Sequence, residues 1–148
     1  MDIYSRIKND HDCHRAMAEK IMQTSGDSSE RRELFEEYKN DVVAHANAEE
    51  QSFYAILIED EKTQEQTRHS VSEHKEASDL FEELEEMDMS SSGWIQKFKK
   101  LKEELEHHMT EEEEEVFDMA HKVIPKDKEE PLADKFDRRK QDELKDAA

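Results

Sequence analysis

The chain has 148 residues, 43% of them charged and 33% apolar, with two Gly, two Pro and a formal net charge of −19 at pH 7. That length predicts one domain, and a composition rich in Glu, Lys and Leu predicts helix. The negative charge excludes nucleic acid and anionic membrane as partners, because both repel such a surface. A lone cysteine, Cys13, allows no intramolecular disulfide and suits a reducing compartment. The opening residues lack the basic and apolar runs of a signal peptide, and no stretch approaches membrane-spanning length. A cytoplasmic protein is therefore expected.

The first helix is predicted from Ile3 to Thr24, with Ile3, Ile7, Ala18, Ile21 and Met22 on one side. A turn follows at Ser25-Gly26-Asp27-Ser28-Ser29, and Asp27-x-x-Glu30 has the form of a capping box. The second helix carries Leu34, Tyr38, Val42, His45, Glu49, Phe53 and Ile56 at steps of three and four. It is expected to end near Glu59-Asp60-Glu61, with Thr63-x-x-Gln66 capping the third helix. There the stripe is Val71, His74, Ala77, Phe81 and Leu84. After a loop at Ser90-Ser91-Ser92-Gly93, the fourth helix repeats the pattern with Trp94, Phe98, Leu101, Leu105, His108, Glu112, Val116 and Met119, stopping near Pro125. Residues 126–148 are mostly charged, with Leu132, Phe136 and Leu144 as a thin apolar stripe. The expected architecture is all-α: an up-down-up-down four-helix bundle over residues 1–124, and a charged C-terminal tail over 125–148, helical or mobile.

Each helix places one histidine, His11, His45, His74 or His108, on its core side. In a bundle with short loops, counting residues to each turn sets all four at nearly one depth, with His11 and His45 roughly 23–25 Å from the first turn at the helical rise. Two of them open the pattern His-x-x-x-Glu, as His45-Ala-Asn-Ala-Glu49 and His108-Met-Thr-Glu-Glu112. The i,i+4 step puts each glutamate on the same face, one turn further along. One histidine on an apolar face is ordinarily a core residue with a satisfied hydrogen bond. Six ionisable groups in one small core need a partner, and a cation supplies it. A carboxylate can bridge two cations whereas an imidazole nitrogen holds one, so the set points to two metals sharing Glu49 and Glu112. Mixed imidazole and carboxylate donors leave iron, manganese and zinc open. His14 lies near the centre of the first helix's apolar face and is read as a hydrogen-bonding supporter or a buried neutral side chain. His69, His107 and His121 are placed at the edge or in solvent. Tyr54 and Trp94 are read as packing residues.

At these residues the chain resembles the hemerythrin and HHE cation-binding family. The matching pieces are Asp10-His11, His45-x-x-x-Glu49-Glu50-x-x-Phe53-Tyr54, Glu73-His74 and His108-x-x-x-Glu112-Glu113-x-x-Val116-Phe117, spanning about residues 3–124. The resemblance implies a non-haem di-iron centre with His11, His45, Glu49, His74, His108 and Glu112 as metal ligands, and zinc or manganese as substitutes. It implies dioxygen, hydrogen peroxide or nitric oxide as the small partner, in oxygen, iron or redox response, with peroxide-consuming catalysis left open. The alternative is a non-catalytic iron-binding, storage or regulatory module acting through a protein partner. One departure stands out: oxygen-carrying members have a second histidine four residues after the third-helix one, and that place is Ser78. An open coordination position follows, which favours sensing or redox chemistry over simple oxygen carriage. Ferritin-like bundles use paired Glu-x-x-His motifs. Here Glu104-x-x-His107 has no second copy, and that architecture is rejected.

Overall fold

The structure, a computed structural model that describes residues 1–147, is all-helical among those residues. Five long helices, α1 (Ile3–Met22), α2 (Ser29–Gln51), α4 (Gln64–Glu86), α5 (Ser92–Glu111) and α7 (Glu129–Ala147), are joined by the short α3 (Phe53–Leu57) and α6 (Phe117–His121), a π turn at Glu112–Val116 and a 3₁₀ turn at Lys126–Lys128. Among the described residues, no helix is long and apolar enough to cross a membrane.

Local chemistry sets the ends. Asp2 and Ser91 cap α1 and α5 by accepting from the Ser5 and Trp94 amides. Gly26 takes a left-handed φ of 65° in the first turn, where a Cβ would be strained. The cap of α2 is Ser28, which accepts from the Arg31 amide, rather than the expected Asp27; Asp27 instead pairs with Arg32. Thr63 precedes α4 but makes no side-chain cap, because its hydroxyl donates to the Leu57 carbonyl at 2.6 Å. Val71 is exposed, and the core face of α4 runs through Thr67 and Ser70 instead. These small side chains open the middle of the bundle to groups larger than a methyl stripe would admit.

Residues 126–148, expected as a weakly held helix or a mobile tail, contain the helix α7, which packs on α1 and α2. Phe136 is fully buried and Lys140 nearly so. Three apolar residues gave a thin stripe in the sequence, but one large ring and a long aliphatic stem cover more surface than their count implies.

The apolar core is split in two. One cluster gathers Ile3, Ile7, Phe53, Leu57, Val116 and Phe136; the other gathers Ile21, Phe35, Phe81, Trp94, Phe98 and Leu101. Between them lies a polar layer of histidines and carboxylates. Both His-x-x-x-Glu helices lose regularity just beyond that layer. In α2 the break falls at Ser52 (φ −120°, ψ −77°), whose hydroxyl donates to the Ala48 carbonyl at 2.6 Å. Beyond α5 the Phe117 amide reaches back to the Glu112 carbonyl, a π-type bond. Each irregularity lets two consecutive residues, Phe53–Tyr54 and Val116–Phe117, enter the core together.

Candidate metal centre

The polar layer brings His11 from α1, His45 and Glu49 from α2, His74 from α4, and His108 and Glu112 from the end of α5 to one place. The imidazoles form two pairs: His11 and His45 have ring centroids 5.4 Å apart, His74 and His108 4.8 Å. Both carboxylates lie across the two pairs and are 0% exposed. Glu49 sets Oε1 3.1 Å from His74 Nε2 and Oε2 3.7 Å from His45 Nε2. Glu112 sets Oε1 3.2 Å from His11 Nε2 and Oε2 3.8 Å from His108 Nε2. Donors bound at about 2.0–2.2 Å to one small cation stand at such separations from each other.

The orientation of the rings is the more telling feature. Every one of the four histidines gives its Nδ1–H to a carboxylate. His45 donates to Asp10 at 2.7 Å, His74 to Glu50 at 2.8 Å, His108 to Glu73 at 2.8 Å and His11 to Glu113 at 2.6 Å. Each acceptor belongs to the helix preceding its histidine, or, for His11, to the π turn that closes the circuit. Fixing Nδ1 as the donor aims all four Nε2 atoms inward. His11 Nε2, His45 Nε2, both oxygens of Glu49 and Oε1 of Glu112 are buried without a hydrogen-bond partner. His74 and His108 face each other Nε2 to Nε2 at 3.2 Å, with neither Nδ1 free to change role. Unpaired buried polar atoms cost about 1–3 kcal/mol each, so five in one spot mark a place built for a ligand that supplies positive charge. The donor set, imidazole nitrogen and carboxylate oxygen, fits a first-row divalent or trivalent metal.

Electrostatics agree with that fit. Burial pushes His45 down to about 3 despite its bond to Asp10, which keeps the ring neutral and its Nε2 lone pair available. Burial acts the same way on His11, but the carboxylates of Glu112 and Glu113 outweigh it and raise the ring to about 9. Burial and the adjacent charge of Glu112 drive Glu49 well above the usual carboxylate range. Asp10 goes the other way: burial is outweighed by His45, Arg6 and Lys140, which hold it well below its ordinary value.

Several supporting residues were not assigned these roles from sequence. Tyr54, read as packing, donates its hydroxyl to Glu112 Oε2 and stacks on the His74 ring. Lys140 from α7 donates to Asp10 at 3.0 Å and to Asp41 at 3.1 Å, and Phe136 packs edge-on against the His45 ring. His14, read from the sequence as a hydrogen-bonding supporter or a buried neutral side chain, is buried beside the polar layer and bonded to Asp41 at 2.6 Å. Cys13 is exposed, and Trp94 belongs to the distal apolar cluster. The signal for the four orienting carboxylates was present, since each neighbours a predicted ligand in sequence; their cross-helix bonds were not visible there.

Two openings reach the layer. A cavity of about 20 Å³ lies against all four imidazoles, walled by Val42, Ala46, Leu105 and Met109. A surface groove of about 420 Å³ runs past His74 and the exposed Ser78.

A comparison with curated proteins gives no match. A solved structure, that of a hemerythrin HHE cation binding domain-containing protein from Mycobacterium kansasii, superposes with a TM-score of 0.88 at 23% identity, over 99% of this chain and 89% of that one. At that identity the likeness speaks for the fold. The hemerythrin HHE cation binding domain model matches residues 2–120, and with that match over most of its length the chain belongs to the hemerythrin HHE cation-binding domain family.

Proposed function

We propose that the protein is a non-haem di-iron protein that binds or reacts with a small oxidant, dioxygen, hydrogen peroxide or nitric oxide, in oxygen, iron or redox response. His11, His45, Glu49 and Glu112 would hold one iron, and His74, His108 and the far oxygens of the same two carboxylates the other. The observation that carries this reading is the ring of four Nδ1–carboxylate bonds around a core of unpartnered Nε2 and carboxylate atoms. Zinc or manganese satisfies the same donors and can substitute.

An iron pair held by these residues would supply electrons to a small oxidant. The chain's own residues shape what reaches it. Val42, Leu105 and Met109 line a cavity of about 20 Å³, enough for one water-sized molecule and too small for an organic substrate. Tyr54 holds a hydroxyl proton on Glu112, next to the pair, where it can steady a carboxylate whose charge balance changes. Glu49 and Glu112, each spanning both histidine pairs, are the carboxylates that would serve both irons and balance their charge.

Metal content per chain and the visible spectrum of aerobically purified protein test this. Two irons with oxo-to-iron charge-transfer bands are expected. No stoichiometric metal after anaerobic ferrous reconstitution would overturn the reading. Steady-state turnover of hydrogen peroxide then decides between a catalyst, which gives many turnovers per site, and a binding module, which gives none.

A further inference from the structure

Two more His-x-x-x-Glu pairs lie outside the buried layer: His69-Ser70-Val71-Ser72-Glu73 on α4 and His107-His108-Met109-Thr110-Glu111 on α5. We propose that His69, Glu73, His107 and Glu111 form an outer divalent-metal site, and that it loads the buried pair.

The i,i+4 step sets each pair on one helix face, and α4 packs against α5. His69 Nε2 stands 3.5 Å from Glu73 Oε2 and 3.3 Å from Glu111 Oε1. His107 Nε2 stands 3.2 Å from Glu111 Oε2. Donor atoms of His69, Glu73 and Glu111 lie within 4.8 Å of one another, and donors around a cation held at about 2.0–2.2 Å are separated in this way. The side chains are graded in depth: His69 and His107 are 52% and 71% exposed, Glu73 and Glu111 15%. Glu111 is steadied from the side, where Gln66 donates to its Oε1 at 2.8 Å.

Ordinary surface ion pairs would explain the contacts but not where they lead. Glu73 has one oxygen in each place: Oε1 accepts the Nδ1–H of His108, and Oε2 faces His69. A cleft of about 350 Å³ is lined by Glu73, His107 and His108 together, so the outer imidazole and the buried one share an opening. One imidazole and two carboxylates drawn together, with the exposed His107 imidazole beside Glu111 able to join them, suit a borderline first-row divalent cation such as ferrous, cobaltous or zinc ion. In a protein of charge −19, a mixed donor set selects such ions from the cloud of alkali and alkaline-earth counterions that acidic residues alone would hold.

Binding at the outer site stands by itself; the loading role rests on the buried pair proposed above. Anaerobic titration of the metal-free full chain with Co²⁺ tests both. Three Co²⁺ per chain are expected for the natural sequence and two for His69→Ala/His107→Ala. Both histidines are exposed, so this variant should keep the natural far-ultraviolet spectrum. Glu49→Gln/Glu112→Gln should retain one Co²⁺, which adding the two outer substitutions removes. Equal stoichiometry with and without the outer histidines overturns the site. One Co²⁺ in the natural chain, lost with the outer histidines, upholds the site and sinks the buried-pair reading. The loading role predicts that stopped-flow uptake into the buried pair slows in His69→Ala/His107→Ala, because the carboxylates that remain hold the incoming cation without an imidazole donor. Unchanged uptake overturns it.

Discussion

An imidazole that gives Nδ1–H to a carboxylate can offer only Nε2 to a cation, and this chain builds that arrangement four times around one point. The carboxylates Asp10, Glu50, Glu73 and Glu113 therefore act through the histidines they orient. Replacing such a partner typically costs about 10–100-fold in metal affinity. Glu113→Gln keeps the shape but weakens the bond that fixes His11. We expect Zn²⁺ affinity to fall by about tenfold with two metals still bound at saturation; loss of a whole equivalent would instead make Glu113 a ligand. The same histidine sets the pH response. In the metal-free chain Glu112 and Glu113 hold His11 protonated up to about 9, so below that pH a metal must displace its proton. From His11 alone apparent affinity should rise by about tenfold per pH unit between 7 and 9, and more steeply where Glu49, raised by burial and Glu112, also gives up a proton. His45, already neutral above about 3, adds nothing in that range. Calorimetry in two buffers of different ionisation enthalpy would show the released proton as a buffer-dependent heat. Identical heats in both would refute the assignment.

Among the elements, α7 bears on the site more than its charged sequence implies. Its Lys140 ammonium is shared by Asp10 and Asp41, themselves bonded to His45 and His14. Lys140→Met keeps the aliphatic packing and removes the charge, leaving two largely buried carboxylates with fewer donors. A loss of about 1–3 kcal/mol is expected in urea unfolding of the metal-free protein. Asp41→Asn should recover part of that loss in the double variant, because the two groups are coupled. Additive losses would place Lys140 outside the network. This helix also shows what was legible in the sequence. The six central residues could be read because helical periodicity turns sequence spacing into depth and facing, and because two His-x-x-x-Glu steps repeat. The helix bearing Lys140 was visible only as a sparse stripe, since periodicity records where a side chain points and not which distant acid it meets. The π turn after Glu112 was hidden for a related reason. Glu111–Glu115 reads as an acidic face with Glu112 alone turned inward, and only packing decides that Glu113 turns to His11 and that Phe117 enters the core beside Val116. The second pair of His-x-x-x-Glu steps, at His69 and His107, could be seen, yet its exposed histidines read as edge residues because burial gave them no priority.

At the scale of the whole molecule, two kinds of negative charge destabilise the metal-free fold, and they respond to different agents. The exterior supplies most of the −19, in water, where about 0.15 M salt already screens beyond about 8 Å. Glu49 and Glu112 lie between two apolar clusters at 0% exposure, beyond the reach of bulk ions; in the metal-free chain protons on Glu49 and His11 partly offset their charge, and a bound cation takes the place of those protons. Metal bound to the native state alone, at about a thousandfold its dissociation constant, stabilises by about 4 kcal/mol per site. For a chain of this size each kcal/mol raises the melting midpoint by about 2–4 °C. Metal loading should therefore raise Tm by about 8 °C or more, and a chelator should reverse the rise. Salt should raise the midpoint of the metal-free and metal-loaded forms alike, because it acts on the exterior in both. The metal-induced increment should thus survive in 0.5 M NaCl. Its collapse in salt would mean that the metal had been held by surface carboxylates, and that the buried histidine layer is not where the cation goes.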